Sequence, residues 1–225
     1  MRVDILRKAI RLTGLILPMT WLASSAQAQM RAVSRAEAFG ISVSTPTANQ
    51  KTPYAVLPTG EAMATDQGQN VSVPGYVTAQ DLFTIVTGDA DDVDGSNAVS
   101  SATLGVVSLL NGLITADGVV AVASSTVGDN AVGSNAEGSS LGNLVVGGVE
   151  VSDPAANTQM NLPGVGYVIL NEQSPSGDGV TTSGLTVNMI HVVLQQPILG
   201  LLGQVVGYQT VGNIIVGSAT SSVTR

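Results

Sequence analysis

The chain contains no cysteine. Disulfides, thiolate metal sites, thiol nucleophiles and a lipid-modified N-terminal cysteine are therefore excluded, and packing alone must hold the fold. Aromatic residues make up 3% and charged residues 11% of the 225 positions, against about 25% charged residues in an ordinary domain. The core has to be filled by Val, Leu, Ile and Ala rather than by rings. Between Thr52 and Thr224 there is no lysine or arginine at all. Such a surface repels phosphate backbones and anionic membranes, so a nucleic acid partner is not expected. There is one histidine, His191, and because serines are plentiful a Ser-His-Asp triad built on it is possible in principle. No GGxGxD series appears, which argues against a calcium-loaded β-helix.

The basic residues that do exist are concentrated at the start. Arg2, Arg7, Lys8 and Arg11 precede an apolar run, Leu12 to Leu22, broken by Gly14 and Pro18. "SSAQAQ" follows, with Ala26 and Ala28 in the small-x-small arrangement. A positive start, a short apolar middle and a small-residue end read as a secretory signal peptide over 1–28, leaving Gln29 as the mature N-terminus. The run is shorter than the roughly 20 residues that span a bilayer. Four of the eight basic residues and one of the sixteen acidic ones lie in 1–28, so residues 29–225 carry 4 basic and 15 acidic residues, net −11. The last residues, "SATSSVTR", show no sorting signal or hydrophobic tail. The expectation is an exported chain that is not an integral membrane protein once mature, placed outside the cell, on its surface or in the periplasm.

What is abundant is Gly, at 26 residues, together with Val, the composition of short strands joined by tight turns. Residues 29–37 read as a flexible N-terminus and 38–223 as one β-domain. "AFGISVSTP" alternates and suggests a first strand, whereas 47–70, with Pro53 and Pro58, reads as loop with at most one short strand. From Val71 the β signal strengthens. Pro74-Gly75, Asn111-Gly112 and Pro163-Gly164 sit between apolar runs, as hairpin turns require. Asp117-Gly118 reads as a turn or as a bulge within a continuing strand. In "VGYVILN" both alternating faces are apolar, which suggests a strand buried on both sides. "LTVNMIHVVL" puts Leu185, Val187, Met189, His191 and Val193 on one face. "QQPILGLLGQVVGYQTV" (195–211) is apolar, broken by glycine, and too short to span a membrane. The fold class expected is all-β: a single antiparallel β-sandwich with Greek-key or jelly-roll connections.

Chemistry has few candidates. His191, in mid-strand among apolar neighbours, reads as a core or sheet-face residue rather than a general base. Glu172, at a strand end, invites comparison with the paired carboxylates of glycosidases, but sugar-stacking aromatics are scarce. Asp89, Asp91, Asp92 and Asp94, followed by Gly95, are the best metal candidates. Closely spaced carboxylates in a turn offer the hard oxygen ligands that calcium prefers. The spacing is not that of an EF-hand, and a solvated acidic turn is the competing reading. No catalytic residue and no cofactor other than weakly held calcium is expected.

"AFGISV", "GNLVVGG", "LPGVGYVILNEQ", "LTVNMIHVVL" and "GNIIVGSA", in this order, resemble the choice-of-anchor P family of bacterial exported proteins. The resemblance covers most of residues 29–225. It implies a surface protein without enzymatic activity and transfers no catalytic residue. The function expected is a non-enzymatic structural or adhesive role in the envelope or extracellular space, with self-association or a cell-surface or polysaccharide partner. The alternatives are a fibre subunit assembled by strand addition, and a secreted carbohydrate-binding or hydrolase-type sandwich.

Overall fold

The computed structural model describes residues 33–89, 96–128 and 131–225. The described chain is all-β, two antiparallel sheets packed face to face as a sandwich. The first sheet has the order β11-β12-β13-β14-β1-β2, formed by β1 (Val33–Ser44), β2 (Asn49–Val56), β11 (Thr158–Leu162), β12 (Gly166–Ser176), β13 (Thr182–Leu199) and β14 (Val205–Thr224). The second runs β10-β9-β6-β5-β4-β3, from β3 (Met63–Val73), β4 (Val77–Gly88), β5 (Asn97–Leu109), β6 (Ile114–Val127), β9 (Leu144–Val146) and β10 (Val149–Val151). Short strands β7 (Val132–Asn135) and β8 (Ser140–Leu141) also pair with β6. Most connections are hairpin meanders, and the long-range return is β14 beside β1. No helix among the described residues is long and apolar enough to cross a membrane.

The expected turns are present where glycine takes positive φ. Gly75, Gly112 and Gly164 have φ of 80°, 87° and 78°, and Tyr76 N donates to Val73 O and Val165 N to Leu162 O across two of these turns. Asp117-Gly118 is the bulge and not the turn, since β6 continues through it. Two expectations are corrected. Residues 33–37 are not a flexible lead-in but the start of β1, because Val33 pairs with Thr224 at the far end of β14. The stretch 47–70 is not mainly loop. It supplies β2 and most of β3, polar edge strands whose ladders override their weak propensity.

A second regularity concerns side-chain parity. In a plain strand, inward residues recur every two positions. Here they fall three apart at one place in each long strand: Ala38 and Ile41, Ala79 and Leu82, Leu104 and Val107, Ala116 and Val119, Val187 and Ile190, Val216 and Ala219, all buried. The interruptions line up. In the first sheet they pass through Asn171 (φ 50°), Met189, Gly217 (φ 65°) and Gly40; in the second, through Asp81 (φ 54°), Gly105 and Gly118 (φ 79°). Each sheet thus carries a crease, and a left-handed residue is what lets a strand reverse which face it presents.

The crease divides the core into two unlike halves. On one side many inward residues are small, Ala98, Ser100, Ala102, Ala121, Ala123, Ser125, Ala219 and Ser221, beside Leu82, Val86, Leu185 and Val187. The sheets come close enough there for Ser125 Oγ and Ser221 Oγ to hydrogen-bond at 2.7 Å across the interface. On the other side stand Ile41, Leu109, Ile114, Leu144, Leu170, Ile190 and Ile214, all buried. The core is thus richer in Ala and Ser at one end, where Ser125 and Ser221 meet, and in Leu and Ile at the other.

Candidate functional site

The parity switch decides where the histidine goes. Continued alternation from Leu185, Val187 and Met189 would put His191 in the core. The crease at Met189, opposite Gly217, turns Ile190 and Val192 inward instead, and His191 faces outward on the first sheet. The shared face expected for Leu185 through Val193 is therefore broken after Met189. Likewise Val168 and Leu170 are buried while Tyr167 and Ile169 lie half-exposed on the same outer face, so β12 is covered on one side only.

On that face five polar side chains form one network. His191 Nδ1 lies 3.0 Å from Glu172 Oε2, and Asn188 Nδ2 donates to the same oxygen at 2.7 Å. His191 Nε2 lies 3.1 Å from Asn213 Oδ1. Ser218 Oγ donates to Asn188 Oδ1 at 2.7 Å. The strands β12, β13 and β14 bring these groups into register: Glu172 is opposite Asn188, and Asn188 opposite Ser218. Glu172 and His191 are 19% and 18% exposed at the side chain, so the pair is neither sealed nor free. Because a carboxylate only accepts, Nδ1 carries a hydrogen. Nε2 then donates to the Asn213 carbonyl in the imidazolium, or accepts from the amide if Asn213 is turned over.

This is the carboxylate–imidazole half of a hydrolytic triad. In a triad Nε2 faces a nucleophile; here it faces an amide. Glu172 meets a histidine and an asparagine, not the second carboxylate of a glycosidase. Asn188, Asn213 and Ser218 escaped the sequence reading. The only signal was a polar residue inside an apolar strand, as in "TVNMIHVV" and "GNIIVGSA".

Two strands further along the same face, Lys51 Nζ stands over the Phe39 ring at 4.3 Å and the Tyr54 ring at 4.2 Å from the centroids and pairs with Glu37. One of the few cations of the chain is thus spent on the β1–β2 edge.

Of the acidic candidates, Asp89 ends β4's side of the molecule, its N–H donating to Asn97 O at 3.1 Å. It lines a cleft of about 600 Å³ together with Arg35, Glu37, Glu61, Thr220 and Ser222. Asp91, Asp92 and Asp94 lie outside the described residues. Among the described residues no group of three or more His, Asp or Glu side chains is placed to hold a metal ion.

Comparison with protein-family models, with curated proteins and with solved structures gave no match to this chain.

Proposed function

We propose that the protein is an exported, non-enzymatic structural or adhesive component of the bacterial envelope or extracellular space. The observation that carries this reading is the leader, with its Arg2/Arg7/Lys8/Arg11 start, short apolar run and Ala26-x-Ala28 end. The resemblance to the choice-of-anchor P family supports the same placement. The site chemistry supports the non-enzymatic part: both ring nitrogens of the single histidine are engaged, and Asn213 stands where a nucleophile would have to be. Fractionation of cells making the full chain tests the reading. It predicts protein in the periplasm, on the surface or in the medium, and retention in the cytoplasm of a variant with Leu15→Arg and Leu17→Arg in the apolar run. Equal cytoplasmic retention of both would overturn it.

A further inference from the structure

The two longest strands outgrow their sheet. β12 pairs with β13 only as far as Leu194, with one more bond from Gln195 N to Val165 O. β1 pairs with β14 only as far as Asn213. Beyond those points β13 and β14 continue as a two-stranded arm, Gln195–Leu199 against Val205–Thr210, closed by a turn in which Gly200 N donates to Gln204 O. The arm carries no charged residue. Its apolar side chains are in solvent: Leu201 is 105% and Leu202 92% exposed, and Leu199, Val205, Val206 and Tyr208 are all more than half exposed.

The arm's two open edges differ. Gln195 N–H points away from β14, toward Val165, so by alternation the nitrogen of Pro197 points the same way, and it has no hydrogen. The β13 edge is thereby blocked to strand addition. On β14, Thr210 is opposite Gln195 and Tyr208 opposite Pro197, so the backbone groups of Tyr208 and Thr210 face the open edge, with no proline and no charge between them. The terminal strands of the sheets are guarded or short: β2 has Lys51, Pro53 and the Asp66 carboxylate capping Tyr54 N, β3 has Asp66, β10 has Glu150, and β11, without charge or proline, runs only five residues.

We propose that the β14 edge of the arm pairs with the same edge of a second copy, antiparallel about a two-fold axis near Tyr208. Three observations select this occupant. An edge of unpaired N–H and C=O groups is satisfied by a strand but not by hydrocarbon, so lipid fits the side chains and not the backbone. Two bodies of net charge −11 over residues 29–225 repel except where an uncharged projection meets its like. The arm itself offers one open edge, the other being closed by Pro197, and a contact of that edge with its like about a two-fold axis is isologous and stops at a dimer. The export reading is not needed for this inference, and either can fail without the other.

Sedimentation velocity of the purified chain from about 1 to about 200 µM, the range in which small interfaces assemble, reads the result. A monomer–dimer equilibrium is expected. Tyr208→Pro, which removes an outward donor, should leave a monomer throughout with an unchanged circular dichroism spectrum. Should that variant lose its fold, Tyr208→Lys places a charge on the same edge and should act alike. Leu201→Ser with Leu202→Ser, which alters the tip but not the edge, should keep the dimer. A parent that stays monomeric overturns the proposal, as does a dimer that survives both edge variants or an assembly that grows past two copies. So does a monomer that floats with phosphatidylcholine vesicles and loses flotation in the tip variant, since the occupant would then be a membrane.

Discussion

At the residue scale, the glycines of the crease have little freedom. Gly217 has φ 65°, and a Cβ there would stand 2.8 Å from Val119 Cγ1 of the facing sheet. Gly217→Ala is expected to destabilise by about 1–3 kcal/mol, the range for a side chain forced into left-handed backbone against a neighbour. Thermal or urea unfolding checks it, and an unchanged midpoint would mean the crease relaxes freely. The turn glycines behave alike in kind: Gly112→Val and Gly164→Val should each lose more than about 1 kcal/mol. For the outer-face pair, His191→Ala and Glu172→Ala, singly and together, should show a coupling of about 0.5–1.5 kcal/mol, the net value of one hydrogen bond to a charged or polar partner. Additive losses would mean the 3.0 Å contact contributes nothing to stability. These residues also mark what the sequence made legible. Pro163-Gly164 and Asn111-Gly112 announce their turns because the chemistry is local. Gly217 and Gly40 do not announce a crease. Their role exists only when four strands align, and alternation read along one strand then assigns His191 to the wrong face.

At the element scale, the loop from β12 to β13 is organised by one carboxylate. Asp178 Oδ1 accepts from the amides of Val180, Thr181 and Thr182, and Oδ2 from Thr181 Oγ1 at 2.6 Å. The Thr181 hydroxyl first, then these amides, hold the Asp178 carboxyl well below the usual carboxylate range. The sign follows from linkage. A depressed folded-state pKa contributes stability that is fully present above the unfolded aspartate value of about 4 and is lost as pH falls through the folded value. Asp178→Asn should therefore lower the melting temperature at neutral pH and flatten its decline in acid. Equal acid sensitivity of parent and variant would remove Asp178 from the account. "NEQSPSGDG" reads as an exposed loop, but residues 171–176 continue β12 in register with β13; the anchor of the connection is not legible, because the anchoring groups are backbone amides that composition does not reveal. The same limit explains β2 and β3: polar edge strands have no apolar alternation to read, and only their ladders show them.

At the scale of the whole molecule, the core is built from two populations of inward residues. "AVSSATLG", "AVASSTVG" and "GSATSSVT" alternate Ala and Ser, and in the fold they face one another across the core. Ala121→Leu, fully buried there, should destabilise by about 1–3 kcal/mol through overpacking. A well-tolerated leucine would show that the core has room to spare around Ala121. All-β class and sandwich layering were legible because Val, Gly and turn dipeptides dominate the chain; the arm at 195–211 was visible only as an apolar, glycine-broken stretch of unassigned purpose. What the fold does for a cell depends on where the chain is delivered. The direct test is the intact mass of the protein recovered from the envelope or medium of cells making the full chain. The account predicts a chain that begins at Gln29. A recovered chain that retains Met1, or any residue before Ala23, would contradict it.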